Sequence, residues 1–452
     1  MNLSWLRRTI VGIAIAAVAV QGVTHAIKPV GDFQLHWNWG LKLRTGVPLY
    51  DEGGVNPYPP AWAVPHVPLS LVSMHIAKPA FLVIGVASLC LLLCVLNALT
   101  RTAFPVAHGQ LFWVNVAALL LAGRFVHRDF DDGGQNLVLL TLSWIAIWLV
   151  AQDRPWSAGI SLGCATALKC TAGLFIVYFV LKRQWRMVLS STVWTALFSI
   201  SPILWQGPNE FFRQFQMWQT SVVQSTRISD PSHGILGMEG LQNKSLRPSL
   251  ARYLMNLKPG HTGRHYVDQL PEGDPNRTPH PWSVDFLDLD PATAGWIIKG
   301  LMLAGIVGVG WLFRRPHAPG NEMVLVWEAS IVSILTLLYS PITWGQHCVA
   351  VLPAVYLLAR SVIAERVQSR WLTGFLVGFF LLVMLTNRTI IGKNLALLIE
   401  SYHPLTFAFI PLAVVTYLVG RHVSGTSPSK LIPIDVPTPI AIESKPPGKR
   451  AA

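Results

Sequence analysis

Five short stretches of this chain carry side chains that could do chemistry. The first runs Gly31-Asp32-Phe33-Gln34-Leu35-His36-Trp37 and continues to Asn56-Pro57-Tyr58-Pro59-Pro60-Ala61-Trp62. Asp32 and His36 are four residues apart, so a helical turn at the start of the stretch would put both on one face. A carboxylate there could act as a general base beside a second polar group. It could equally cap a juxtamembrane helix, because Asp is a favoured N-cap. Prolines at 57, 59 and 60 lack backbone donors and restrict the residues before them, so the stretch as a whole reads as a structured loop. Tyr58 and the tryptophans fit a membrane-surface anchor. Anchoring leaves Asp32 unexplained, since an unpaired acid so close to a bilayer is costly.

The second stretch reads Arg-Phe-Val-His-Arg-Asp-Phe-Asp-Asp-Gly-Gly-Gln-Asn from Arg124 to Asn136. Arg124, His127 and Arg128 could hold a phosphate, and Asp129, Asp131 and Asp132 a divalent metal. A solvated loop of balanced charge would use the same residues. Gln135 and Asn136 open the next apolar run and could point into a site. The third candidate is Lys169, a cation inside an apolar stretch, which could snorkel to the surface or contact a phosphate. In the fourth, Ser340-Pro341-Ile342-Thr343-Trp344-Gly345-Gln346-His347, Pro341 ends one apolar run and His347 opens the next. A histidine there could bind an anionic phosphate, move a proton or cap an interfacial helix. The fifth, Asn243-Lys244-Ser245-Leu246-Arg247, says little alone.

The elements that must position these residues are membrane helices. The chain has 452 residues, 52% hydrophobic and only 13% charged, with a mean hydropathy of +0.45. Soluble domains carry about 25% charged residues, so this is a polytopic all-α membrane protein. Apolar runs lie near 9–27, 79–98, 110–123, 135–151, 187–205, 294–313, 323–340, 347–361, 371–387 and 404–420. Residues 157–182 read as two short helices hinged around Lys169, which brings the total to about twelve spans, some short or broken. The run after Arg7-Arg8 is long for a signal peptide and lacks a good cleavage site, so it reads as an uncleaved first span.

Charge orients the bundle. With both termini cytoplasmic, the short inner segments hold thirteen Lys/Arg against three acids, while the short outer segments hold eight against seven. The positive-inside rule favours that arrangement. It gathers the Asp32 loop (within 28–78), the Arg124–Gln135 loop, the 206–292 segment and the Ser340–His347 turn on one outer face. The chain then divides into an N-terminal transmembrane half (1–205), a large outer loop or lid (206–292), a C-terminal half (293–421) and a disordered cytoplasmic tail (422–452). The net charge of +13 follows this topology and points to no nucleic acid partner. The five cysteines lie in or beside apolar runs without metal or redox spacing, so they read as packing residues. No P-loop or nucleotide-binding glycine fingerprint is present. A site on the outer face, out of reach of nucleotides, suggests a donor delivered through the lipid.

These residues, taken in order, resemble the polytopic GT-C glycosyltransferases, specifically glycosyltransferase family 87. The resemblance rests on Asp32 with Gly46-Val47-Pro48-Leu49-Tyr50 and Tyr58-Pro59-Pro60, and on Gly134-Gln135-Asn136 at the head of a span. It rests further on Ala158–Gly163 leading to Ala167-Leu168-Lys169, and on Ser340–Trp344 with His347. Asn243-Lys244-Ser245-Leu246 is similar to the family's Asn-Gln-Ser-Leu element, with Lys in place of Gln. Cys170-Thr171-Ala172 departs from the family's hinge, which usually carries a proline. The resemblance implies an inverting transferase that takes a sugar, mannose first, from a polyprenyl-phosphate donor to a lipid-linked or glycan acceptor. The setting it implies is the bacterial inner membrane, in cell-envelope glycolipid or polysaccharide synthesis. By the same analogy Asp32 is the base, with His347 as a second catalytic residue. Lys169, Arg128 and Arg124 meet the donor phosphate, and His36, Tyr58, Gln135, Asn136, Trp344 and Asn243 contact substrate. A leaving group matched by three cations needs no metal, so no cofactor is expected. From the residues alone, a transporter or flippase for an anionic or lipid-linked solute stays open, as does a non-enzymatic subunit of an envelope-synthesis complex.

Overall fold

The computed structural model describes residues 3–27, 31–50, 58–227, 230–235, 237–238, 243–256, 286–317, 320–365, 367 and 370–425. Residues 257–285 of the expected outer loop and nearly all of the expected tail lie outside these.

The described chain is almost wholly helical. Helices α1 (Leu3–Ile27), α2 (Gly31–Arg44), α3 (Met74–Thr100), α4 (His108–Asp132) and α5 (Asn136–Ala151) come first. Helices α6 (Pro155–Leu168) and α7 (Gly173–Leu181) flank a break at Lys169. Then come α8 (Trp185–Ile200) and α9 (Ile203–Arg227), followed by two-residue strands β1 (His233–Gly234) and β2 (Gly237–Met238), which pair antiparallel. The remainder is α10 (Leu246–Leu254), α11 (Pro291–Phe313), α12 (Glu322–Leu338), α13 (Leu352–Ile363), α14 (Arg370–Leu385), α15 (Arg388–Ile391), α16 (Lys393–Ser401) and α17 (Pro404–Gly425). Tighter 3₁₀ turns cover Pro60–His66 and Gly345–Val351, and the second runs directly into α13.

Local chemistry sets the ends of these helices. The Asp290 carboxylate accepts from the amides of Ala292 and Thr293, each at 3.0 Å, and Pro291 takes the first helical position of α11. Helix α4 stops at Gly133, whose φ of 65° lies in the left-handed region that favours glycine. A side chain there would also meet Phe33, because a Cβ on Gly133 would lie 2.5 Å from the Phe33 Cβ. That close approach fixes α2 against the end of α4.

Among the described residues, six helical segments are long and apolar enough to cross a membrane: α1, α3, α4, α11, Gly345–Ile363 and α17. A seventh follows if α8 and α9, which are bent by 92° to one another, count as one broken span. The protein is therefore a multi-pass membrane protein. The runs expected near 135–151, 323–340 and 371–387 form α5, α12 and α14, of 16, 17 and 16 residues. These fall at or below the ~17–25 residues of a straight span. Gly345–Ile363 is the centre of the bundle, with 89% of its apolar window buried, whereas α1 buries none of its own. The side chains of Ile13, Ile15, Val20 and Val23 on α1 point outward, as expected for a helix facing acyl chains.

Lipid tails are as apolar as leucine, so helix contacts inside a bilayer depend on close packing and hydrogen bonds. Helices α6 and α8 meet through Gly159 and Gly163. A Cβ at Gly163 would lie 2.6 Å from the Trp194 Cβ and 2.9 Å from the Thr195 nitrogen, both on fixed backbone. Arg360 supplies the hydrogen-bonding counterpart. Buried on α13, it donates from Nε and Nη2 to the Phe104 carbonyl (3.0 and 2.7 Å) and from Nη1 to Asn97 Oδ1 (2.7 Å) and the Tyr356 hydroxyl (2.9 Å). Arg360, one of the thirteen basic residues counted in the inner segments, thus closes the end of α3 onto the core. Gly163→Ile should force α6 and α8 apart and cost about 1–3 kcal/mol. A melting temperature of the purified protein equal to wild type would show that the contact is not that tight.

Candidate active site

The stretch expected to be a loop begins instead as a helix. Gly31–Arg44 contains no proline, and the prolines that forbid helix all come later. Helix α2 is tethered on several sides. Phe33 packs on Phe81 with ring centroids 5.4 Å apart, and the Trp37 indole donates to the Leu69 carbonyl at 3.1 Å. As the spacing predicts, Asp32 and His36 share a face. Both line a cavity of about 440 Å³, a size within the usual range of small-molecule sites.

The walls of that cavity come from five parts of the chain, one of them Ile235 just after β1. Asp32, Leu35 and His36 belong to α2, and Tyr58 follows it; Lys169, Cys170 and Thr171 come from the break between α6 and α7. Trp218 and Val222 belong to α9. Pro341, Ile342, Trp344 and His347 belong to the turn after α12. Ionisable groups are gathered at one side, and Leu35, Trp218, Val222, Ile235, Pro341 and Ile342 make the rest apolar. A smaller cavity of about 60 Å³ adjoins it, sharing Lys169, Thr171, Ser340 and His347 and adding Asn136 and Thr343.

Asp32 is held by a partner from the far end of the sequence. Gln346 Nε2 donates to its Oδ2 at 3.1 Å. Burial pushes the Asp32 carboxyl above the ordinary carboxylate range; the Gln346 hydrogen bond and the charges of Arg128 and Lys169 pull back, and burial prevails. Arg128, half exposed, is not among the residues that line the cavity, and it pairs with Asp132 at 2.8 Å and Asp131 at 3.8 Å.

Lys169 is fixed just as specifically. Its ammonium donates to Asn136 Oδ1 at 2.9 Å and lies 5.9 Å from the centroid of the Tyr58 ring. Asn136 Nδ2 in turn donates to Asp129 Oδ1 at 2.8 Å. The other oxygen of Asp129 accepts the Leu137 amide at 3.1 Å. Asp129 therefore turns inward to cap α5 and orient Asn136, while Asp131 and Asp132 turn to Arg128. The three acids do not converge on one point.

The histidines are assigned by their partners. The Trp62 indole can only donate, and it reaches His36 Nδ1 at 3.0 Å, so Nδ1 accepts and Nε2 carries the proton of the neutral ring. His66 Nδ1 donates to the Trp62 carbonyl at 2.9 Å, which leaves its Nε2 to accept from the Gln135 amide. Burial lowers both rings, His36 well below the usual imidazole range and His66 to about 4, so both stay neutral. Gln135 thus supports His66, which stacks on His36 at 5.2 Å; it does not reach the cavity. Tyr58 stacks on Trp62 at 4.2 Å. At His347, Nδ1 is engaged by the Trp344 amide (3.0 Å) and the Ile342 carbonyl (3.1 Å), leaving Nε2 for a ligand. The Trp344 ring lies parallel to His347 with centroids 6.2 Å apart.

Two expected contact residues act elsewhere. The Arg124 guanidinium donates to the Val383 and Thr386 carbonyls (2.6 and 2.7 Å) and to the Thr386 hydroxyl, which closes the end of α14. It does not line the cavity. Asn243 clamps the cavity wall from behind. Its Nδ2 donates to the Pro341 carbonyl at 3.0 Å and its Oδ1 accepts the Thr343 amide at 2.9 Å. Gln346, Trp218 and Val222 were not singled out from sequence. Trp218 and Val222 continue a stripe, Phe211-Phe215-Trp218-Val222, at helical spacing on α9, and that stripe was the available signal. Helix α9 occupies the start of the segment expected to be a loop or lid.

The bundle of membrane helices thus holds one cavity in which a half-buried carboxylate and a fixed ammonium stand beside apolar walls. The model of glycosyltransferase family 87 matches residues 56–341, well over half of the chain. The protein belongs to this family and is a glycosyltransferase. Lys169 and Asn136 fall inside the matched segment; His347 falls just after it, and Asp32 well before it. Two relatives are each described as a polyprenol-phosphate-mannose-dependent alpha-(1-2)-phosphatidylinositol mannoside mannosyltransferase. One, from Mycolicibacterium smegmatis, is 22% identical over 389 residues, covering 80% of this chain and 77% of the relative. The other, from Mycobacterium tuberculosis, is 26% identical over 380 residues, covering 79% and 75%.

Gln346 stabilises the charged form of Asp32, so Gln346→Leu should raise the Asp32 pKa further. Any reaction that needs the carboxylate then loses rate at a higher pH, and the acid limb of the pH–rate profile moves upward. An unmoved limb would separate Asp32 from the titrating base.

Proposed function

We propose that the protein moves a sugar, mannose first, from a polyprenyl-phosphate donor to a lipid-linked or glycan acceptor at the Asp32 cavity. The observation that carries this reading is the single cavity lined by Asp32, Lys169 and His347. It combines a base with cations or donors for a phosphate, beside apolar walls suited to the first units of a polyprenyl chain. The names of the two relatives support both the donor and a mannoside acceptor.

In this reading Asp32 takes the proton of the acceptor hydroxyl. The hydroxyl oxygen bonds to the anomeric carbon from the face opposite the phosphate. The bond from that carbon to the phosphate oxygen breaks, and polyprenyl phosphate leaves with the electron pair. The configuration inverts. Lys169 and His347 Nε2 meet the charge that builds on the departing oxygen, with Arg128 nearby. Fixed donors in a dry site are effective here because they need no reorganisation as charge develops. His36, Tyr58 and Trp344 shape the sugar pocket; Gln135, Asn136 and Asn243 hold its walls. In the wider frame the bundle follows the GT-C arrangement, with about twelve crossings counting short and broken helices, both termini inside and the cavity on the outer face. A transporter would need free ionisable groups near mid-membrane. Glu328, the seventh of the seventeen residues of α12, is instead matched by Lys182 at 2.5 Å.

Asp32→Asn should keep donor binding and lose about 10²–10⁴-fold in turnover, the usual range for removing a general base. The assay is transfer of radiolabelled mannose from polyprenyl-phosphate mannose into membrane glycolipid. Full activity in the variant would mean the base lies elsewhere. Transfer from polyprenyl-phosphate arabinose or glucose but not mannose would correct the sugar. Lys169→Ala should weaken donor binding along with turnover, and unchanged donor affinity would remove Lys169 from the phosphate site. In a background without native cysteines, Thr45→Cys should react with an impermeant maleimide from outside and Arg315→Cys only after the membrane is opened. The reverse pattern would invert the topology.

A further inference from the structure

A second cavity, of about 310 Å³, lies at the other end of the bundle. Lys169 precedes α7 and Lys182 follows it, so the twelve helical residues between them put the two cavities ~18 Å apart along that strut. Helix α12 gives the same order, with Glu328 in its first half and Ser340 just past its end. The second cavity shares no lining residue with the Asp32 cavity.

Its charges are unevenly matched. Glu328 is fully engaged, accepting from Lys182 Nζ at 2.5 Å and from the Tyr178 hydroxyl at 2.8 Å. Lys182 also donates to the Arg315 carbonyl at 3.0 Å, which anchors the turn after α11 over the cavity. Arg315 on that turn and Arg421 on α17 line the cavity from different elements. Neither guanidinium forms an ion pair among the described residues. Three cations therefore face one carboxylate that Lys182 already neutralises. Leu312, Leu325, Trp327 and Tyr417 add apolar and aromatic surface to the lining, beside the polar His317 and Asn321. Arginine forks match phosphate oxygens in a way that a lysine cannot, and basic pockets between helices are a recurrent headgroup site.

We propose that this cavity binds a phosphate-bearing anion, with the headgroup of an acidic membrane lipid as the source that its apolar lining favours. The inference does not depend on the reaction at Asp32. It is tested on the full chain in detergent by titrating dioctanoyl phosphatidylglycerol, dioctanoyl phosphatidylcholine and inorganic phosphate while following the melting temperature, which rises when a ligand binds the native state. Phosphatidylglycerol should raise it saturably and phosphatidylcholine should not, and the double substitution Arg315→Gln/Arg421→Gln should weaken the apparent affinity at least tenfold. Both arginines are exposed, so the unliganded variant should melt with wild type. If it does not, lipid retained by each single variant is read by native mass spectrometry, with loss of phosphatidylglycerol expected. Saturable binding of inorganic phosphate alone, lost in the double variant, would keep the anion site and assign it to a soluble source. Equal phosphatidylglycerol affinity in wild type and variant, or no saturable binding of any phosphate, would overturn the proposal.

Discussion

The structure depends on holding one ammonium inside a helix bundle. A buried cation is expensive unless its donors are satisfied, and Lys169 meets that demand through Asn136, which Asp129 orients. The same carboxylate caps α5 through the Leu137 amide. One chain of hydrogen bonds therefore fixes the end of α4, the start of α5 and the break between α6 and α7. Moving any of these would strand a charge or an unpaired amide.

Irregular backbone at membrane depth is tolerated where it lines a cavity or is buried in protein, and this chain concentrates its irregularities accordingly. The break at Lys169, the 3₁₀ turn after Tyr58 and the turn from Ser340 to His347 all converge on the Asp32 cavity. Each is braced by a partner distant in sequence. Asn136 holds Lys169, Gln135 holds His66 of the 3₁₀ turn, and Asn243 holds Pro341 and Thr343, while Gln346 reaches from that last turn to Asp32. Loops that would otherwise wander become walls.

Those long-range braces mark the limit of what the sequence reveals. Asp32, Lys169 and His347 stand out in the sequence because each is an ionisable group inside or beside an apolar run. The structure brings all three to one cavity. Gln346 lies 314 residues from Asp32, and nothing local distinguishes it from any glutamine in a turn. Arg124 failed for the converse reason. An arginine beside Arg128 looks like a second phosphate ligand, yet the carbonyls left open at the end of α14 needed a donor, and Arg124 was within reach. Asp129 was similar, a carboxylate that fitted a metal by type and an amide by position. The helix at Gly31–Arg44 was obscured by prolines that begin only after it ends.

Asp32 and Lys169, the two groups proposed to act in the cavity, share one trait. Each is held by an uncharged amide, Asp32 by Gln346 and Lys169 by Asn136, and no ion pair joins them among the described residues. A direct salt bridge would have been the simpler way to bury both charges. It would also have drawn the Asp32 pKa down and spent the positive charge of Lys169 before any phosphate arrived. Amide partners orient without neutralising. They leave a carboxyl that burial keeps above its ordinary range and an ammonium whose field is still directed at the cavity, the state in which a proton acceptor and an anion site can work side by side. At the other end of α7 the opposite choice was made. Lys182 and Glu328 neutralise one another, and they leave the exposed arginines to face any ligand.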